Sequence, residues 1–169
     1  MNTIQEGSLT FTFPDGCLAT KYDDWSFHRN QFQTTCGGAK AVDILCIENN
    51  EAWLIEIKDY RKPLTKKVAG LHKTVAKKVR DTLAGLVAAK FNGNDPQEVQ
   101  FAQEILRSNR VHIVLHVEQP TKHSKLFPRA IDPADLKQQL KRLVKAIDAH
   151  PKIVDQTNLA GNMSWSVTG

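Results

Sequence analysis

The stretch VDILCIENNEAWLIEIK, residues 42–58, decides the fold. Two apolar runs, 42–47 and 53–57, have the length and the Val, Ile and Trp content of strands. Between them stand Glu48-Asn49-Asn50-Glu51. Asparagine tolerates the left-handed backbone that a two-residue hairpin turn requires, so the spacing predicts a turn centred on Asn49-Asn50. With that turn, Glu48 faces Glu51, Cys46 faces Trp53, Leu45 faces Leu54, and Asp43 falls opposite Glu56. Cross-strand partners share a face, with β-carbons roughly 4.5–5.5 Å apart. Lys58 lies two residues beyond Glu56, and the strand period returns it to the same side. Two carboxylates and one ammonium group therefore converge at one end of the hairpin, on the face that carries Leu45, Leu54 and Ile47. A turn one residue longer would put Asp43 and Glu56 on opposite faces.

Outward from the hairpin, the pattern alternates between strand and helix periods. Upstream, LTFTF at 9–13 reads as a strand closed by Pro14-Asp15-Gly16. Residues 17–35 hold neither period. Trp25, Phe27 and Phe32 favour extended structure there, and Cys36-Gly37-Gly38 reads as a turn. Downstream, 64–91 is helical, with Val68, Leu71, Val75, Val79, Thr82 and Leu86 on one stripe and Asn92-Gly93 as the stop. Asp95-Pro96-Gln97-Glu98 has the cap, N1 proline and early acid that open a second helix running to about Ser108. A strand at 111–117 follows. Asp132-Pro133 opens a third helix expected to reach His150-Pro151, and 163–167 is a short final strand. This order predicts an α/β fold in a single domain over 1–169, with a mixed central sheet flanked by helices.

The chain has 169 residues, 41% of them hydrophobic, enough for a core without metal or disulfide staples. No apolar run approaches the ~18 residues of a membrane span. No secretory signal is visible at the N-terminus. Three cysteines, Cys17, Cys36 and Cys46, form no CxxC pair, so the expectation is free thiols and a cytoplasmic protein. The net charge of +5 is unevenly placed. Residues 1–60 carry 4 basic and 9 acidic side chains, whereas 61–90 carry 9 basic and 1 acidic. On a helical wheel Lys66, Lys73, Lys77 and Arg80 cluster opposite the apolar stripe, with Lys67 and Lys78 on a flank. Such a face is either solvated or tracks phosphates, the latter without reading sequence.

Opposed carboxylates in a half-buried sheet repel and are poorly solvated, so their pairing calls for a counter-ion. A hard divalent cation such as Mg²⁺ suits oxygen ligands and substrate phosphates. Lys58 beside it could orient or deprotonate an attacking water, or offset charge developing on phosphate.

Asp43, then twelve residues, then Glu56-Ile57-Lys58 at a strand end resembles the core motif of the PD-(D/E)XK nuclease superfamily. The resemblance implies a restriction endonuclease-like core and Mg²⁺- or Mn²⁺-dependent hydrolysis of DNA phosphodiester bonds, most simply as an endonuclease. It also implies metal ligation by Asp43, Glu56 and the Ile57 carbonyl, with Asp43, Glu56 and Lys58 as the catalytic set. The basic helix would supply DNA contacts through Lys66, Lys73, Lys77 and Arg80. Val42 stands where the motif has proline. The N-terminal acid of many members has Glu6, Asp23 and Asp24 as its stand-ins. A single site cuts one strand, so either a homodimer or a nicking monomer is consistent with the residues. No separate target-recognition segment is visible, so marked specificity would need a partner.

Two other readings stand beside this one. The first is a nuclease-fold module without turnover that binds nucleic acid or a protein partner. The second is a structural domain in which Glu56-Ile57-Lys58 is an ion pair worth ~0–1 kcal/mol. His112 and His116 share one side of their strand. A zinc pair lacks further ligands there, and an edge or partly solvated position is the expectation.

Overall fold

The computed structural model describes residues 1–61, 68–120 and 131–169. Among these, eight strands and three α-helices follow in the order β1 (Asn2–Glu6), β2 (Leu9–Phe13), β3 (Leu18–Lys21), β4 (Ile44–Glu48), β5 (Glu51–Asp59), α1 (Leu71–Asn92), α2 (Pro96–Ile105), β6 (Arg110–Glu118), α3 (Pro133–Val144), β7 (Lys152–Val154) and β8 (Ser166–Thr168). The central sheet is mixed, with strand order β3-β4-β5-β6-β7. β3, β4 and β5 are antiparallel neighbours, whereas β6 and β7 run parallel to β5. A second, antiparallel sheet has the order β1-β2-β8.

Side chains alternate along β4 and β5, so the central sheet buries both faces. Leu45, Leu54, Ile113 and Leu115 meet Leu71, Val75, Val79 and Leu86 of α1, Ala102 and Ile105 of α2, and Leu136, Leu140 and Val144 of α3. On the opposite face Ile44, Cys46, Trp53, Ile55 and Val114 pack against Leu9, Phe11, Phe13, Trp165 and Val167. Helices cover one side and the small sheet covers the other. No helix among the described residues is long and apolar enough to cross a membrane.

The hairpin forms as its sequence dictates. Asn49 and Asn50 have φ of 51° and 61°, and the ladder pairs Glu48 with Glu51, Cys46 with Trp53 and Leu45 with Leu54. Asp95 caps α2 by accepting hydrogen bonds from the backbone N–H groups of Gln97 and Glu98, and Asp132 caps α3 through Ala134.

Several expectations need correction. α1 begins at Leu71, because Gly70 takes a left-handed φ of 80° just before it. Leu64, Lys66 and Lys67 lie outside the described residues, and Val68 precedes the helix. α1 closes at Gly93 with φ of −67°, an extended rather than left-handed stop. α3 ends at Val144, six residues before His150; the chain there turns back so that the Asp148 carboxylate can accept from the Ile113 and His150 N–H groups. Residues 17–35 hold β3 and then short helical turns at Tyr22–Asp24 and His28–Phe32. Trp25, Phe27 and Phe32 are buried in the helical-face core rather than in an extended segment. Glu98 decides this local shape, because its carboxylate accepts from the N–H groups of Ser26 and Phe27, 71 or more residues away. Cys17 and Cys46 are joined as a disulfide, leaving exposed Cys36 free. Cysteine parity and spacing carry no information about the antiparallel β3–β4 pairing that brings those two sulfurs together.

Candidate functional site

Asp43 sits immediately before β4, and the hairpin pairing extends to it. Its N–H donates to the Ile55 carbonyl at 3.1 Å, and its Oδ2 accepts from the Ile57 N–H at 2.6 Å. Glu56 projects from the same face of β5 and is only 1% exposed. Lys58 folds back onto Glu56 Oε1 and onto the Ile57 carbonyl, the latter at 3.0 Å. The register argument from the hairpin therefore places Asp43, Glu56 and Lys58 together.

Lys78 completes the cluster. The wheel puts it on the flank of the basic face, but its position on α1 points it at the sheet. Its Nζ lies 2.8 Å from Glu56 Oε2, 2.7 Å from Glu56 Oε1 and 3.4 Å from Asp43 Oδ1. Two carboxylates thus face two ammonium groups. Burial, with Asp43 beside it, pushes the Glu56 carboxyl above its usual range. Burial works against the charge on Lys78, but Glu56 and Asp43 outweigh it, so its pKa rises. Burial, and secondarily Glu56, also raises the Tyr60 hydroxyl. An i, i+3, i+4 pattern marks which side chains share a helix face but not how far around the sheet reaches, which is why Lys78 reads as surface.

The three N-terminal acids separate clearly. Glu6 pairs with Lys21 at 2.8 Å, and Asp24 pairs with Arg29. Asp23 has a buried Oδ1 without a hydrogen-bond partner. Burial lifts its carboxyl to about 6, with Lys21 opposing and Asp43 adding to the rise. Asp23 is thus the one of the three acids with a buried oxygen and a carboxyl raised by burial, with the Asp43 charge adding to the rise. The donors present, carboxylate oxygens and the Ile57 carbonyl, suit a hard divalent cation. Asp43, Glu56 and Ile57 would hold it, and it would supply positive charge against an anionic ligand. As arranged, no group of three or more His, Cys, Asp or Glu converges on one point among the described residues.

The basic face divides. Lys73, Lys77 and Arg80 are exposed on α1, while Lys66 lies outside the described residues. Lys77 and Arg80 both reach Asp81, at 2.5 and 3.0 Å. The sequence reading missed a second set, because α3 and the residue after it carry exposed Lys137, Lys141, Arg142 and Lys145. The i, i+4, i+8 spacing of the three lysines was the available signal. His112 and His116 are not at an edge. Both are buried within the central sheet, His112 on Glu51 and His116 on Glu118, each at 2.8 Å. Each Nε2 is taken by a carboxylate, which explains the pair without a metal.

No family model and no solved structure matches the chain. A curated protein does match: a cysteine–tRNA ligase of Neisseria meningitidis serogroup A, 36% identical over 167 residues. The chain is similar to part of a tRNA ligase. The similarity takes in 80% of this chain and 24% of the relative, so the chain spans about a quarter of that protein's length.

That finding overturns the expected activity. A deoxyribonuclease, and with it the hydrolase and endonuclease reading, rested on three side chains, whereas the similarity to a ligase extends over four-fifths of the chain. Asp43, Glu56 and Lys58 do converge, with Lys78 beside both carboxylates, but three converging side chains do not by themselves specify an activity.

Proposed function

We propose that this chain is an RNA-binding module related to a segment of a tRNA ligase, and that it grips RNA phosphates on the outer face of its helical layer. The similarity to a cysteine–tRNA ligase carries this reading, because a protein of that name acts on tRNA. Exposed Lys73, Lys77 and Arg80 on α1, with Lys137, Lys141, Arg142 and Lys145 along and just beyond α3, supply a surface of the right sign. The ligase reaction belongs to the longer relative and is not part of the proposal. A cytoplasmic location is proposed on the RNA partner alone, since the free-thiol ground for it fell with the Cys17–Cys46 disulfide.

The restriction endonuclease-like core is proposed as the module's fold. Its support is the β4–β5 hairpin, the parallel β6 and the crossing helix α1 between them. Fold and chemistry are separable, so such a core is compatible with a binding role. Mg²⁺ or Mn²⁺ is proposed as a structural ion of Asp43, Glu56 and the Ile57 carbonyl, on the strength of their hard oxygen donors. Binding would require both Lys78 and Lys58 to withdraw, because Lys58 occupies Glu56 Oε1 and the Ile57 carbonyl. A rise in melting temperature with millimolar Mg²⁺ or Mn²⁺, absent in Asp43→Asn, is the expected result; no rise removes the ion.

Anisotropy titrations of labelled tRNA and of duplex DNA, at salt concentrations from about 50 to 200 mM, test the main reading. The expected result is salt-sensitive binding that favours tRNA over DNA. The triple variant Lys73→Glu, Lys77→Glu, Arg80→Glu should bind at least about tenfold more weakly, with a salt slope shallower by roughly 0.7–0.9 for each phosphate no longer gripped. Absence of tRNA binding by the wild-type chain, or an unchanged triple variant, rejects it.

A further inference from the structure

The outward face of α1 is not uniformly basic. At about 100° per residue, Lys73, Lys77, Arg80, Ala84, Val87 and Phe91 fall within a band about 80° wide. All six are exposed, and they lie opposite the buried Leu71, Val75, Thr82, Leu86 and Ala89. Along this single stripe the first three positions are cationic and the last two are apolar. Phe91 is 72% exposed and Val87 47% exposed, and they lie one helical turn apart on this stripe. Lys90 places its Nζ 5.4 Å from the Phe91 ring centroid. The exposed ring therefore has a cation at its side, and the cationic turns of the same stripe end at Arg80, about 16 Å before it, with Lys77 and Arg80 also within reach of Asp81.

A hydrophobic protein partner would match Phe91 and Val87 but not the Lys73–Arg80 turns of the same stripe. A duplex would match the cations but has no unstacked base to offer the ring. A single strand matches both, since it presents phosphates at intervals and bases whose faces stack on aromatic side chains. We propose that the outer stripe of α1 is a single-stranded RNA ledge, with Lys73, Lys77 and Arg80 on successive phosphates and Phe91 stacking an unpaired base. Lys90 meets the phosphate next to that base. Arg80 and Phe91 are eleven residues apart, about 16 Å along the helix axis. That reach fits a binding site of at least about four nucleotides, the lower end for stacking-platform proteins. The ledge rests on the RNA-binding reading above and specifies which part of an RNA is held: an unpaired loop or end rather than a stem.

The test compares a labelled single-stranded oligoribonucleotide of about ten residues with a blunt-ended, loop-free RNA duplex stem of equal charge. Phe91→Ala should weaken single-strand binding about tenfold and leave stem binding unchanged, whereas Phe91→Trp should retain it. The indole introduced by Phe91→Trp should be exposed, and its emission should be quenched by the single strand. Phe91 is at the surface, so unchanged far-UV circular dichroism is expected in both variants. If the Lys73, Lys77 and Arg80 reversals abolish binding but Phe91→Ala has no effect, the ledge fails and the RNA-binding reading survives. If neither set matters, both fail. Equal loss on stem and single strand removes stacking as the cause and overturns the ledge. A wild-type dimer that Phe91→Ala disperses without changing RNA affinity also overturns it and assigns the patch to self-association.

Discussion

Lys78 is the residue on which the candidate site turns. Its ammonium group reaches both Asp43 and Glu56, and the latter is almost fully buried. Removing one partner of a buried charge pair leaves an uncompensated charge, which typically costs about 3–5 kcal/mol. Lys78→Ala should lose stability on that scale in urea unfolding at neutral pH, whereas Lys78→Met combined with Glu56→Met should recover most of it. A loss under about 1 kcal/mol for the single variant would mean Lys58 alone satisfies the carboxylates. Asp23 makes an independent prediction at the same scale. Its carboxyl titrates near 6 when folded against 3.8 as the ordinary value, because burial disfavours its charge. The folded state therefore holds the proton more tightly, and stability from this group falls as pH rises from about 4 through 6. Asp23→Asn should raise the melting temperature relative to wild type at about pH 8 and lose that advantage at about pH 4, measured with EDTA present. An advantage independent of pH would assign the effect elsewhere.

At the scale of elements, the docking of α1 depends on a close approach to the first helical turn after β3. A β-carbon at Gly85 would collide with the Tyr22 hydroxyl and lie 3.2 Å from the Phe32 ring. Gly85 weakens the helix by propensity but lets it pack against Tyr22, which is fully buried with its hydroxyl unpartnered. Gly85→Ala should destabilise by about 1–3 kcal/mol through overpacking. Tyr22→Phe should cost little, since it removes an unsatisfied buried hydroxyl, and it should rescue Gly85→Ala in part. Additivity of the two changes in a thermal double-mutant cycle would show that the clash is relieved elsewhere. How much of each element is legible in the sequence follows how local its signal is. The Asn49-Asn50 turn and the Asp95 and Asp132 caps lie within four residues of what they organise, and all three form as expected. The start of α1 depends on the left-handed backbone at Gly70, and the turns at 22–24 and 28–32 depend on Glu98 far along the chain.

At the scale of the whole molecule, all three helices pack on one face of the central sheet, so the outward sides of α1 and α3 belong to the same layer. If that layer meets RNA, Lys137→Glu with Lys141→Glu should weaken tRNA binding although neither residue lies in the basic block of 61–90. The log–log salt slope should fall by roughly 0.7–0.9 for each phosphate no longer held. Full affinity in that variant would confine the interface to α1.

What the sequence determined by itself was the hairpin and everything tied to its register: the β4–β5 pairing, the shared face of Asp43, Glu56 and Lys58, and the mixed α/β order around them. Those follow from strand period and turn chemistry, which act between near neighbours. Tertiary structure decided the rest. It turned Lys78 inward to the carboxylates, singled out Asp23 from Glu6 and Asp24, joined Cys17 to Cys46 and buried both histidines on carboxylates. Each of these depends on which distant segment packs against a side chain, and one chain's local pattern does not encode that distance. The +5 charge shows the same division: the sequence located a basic block, and only the packed helices showed which of its cations face solvent and which neutralise the core.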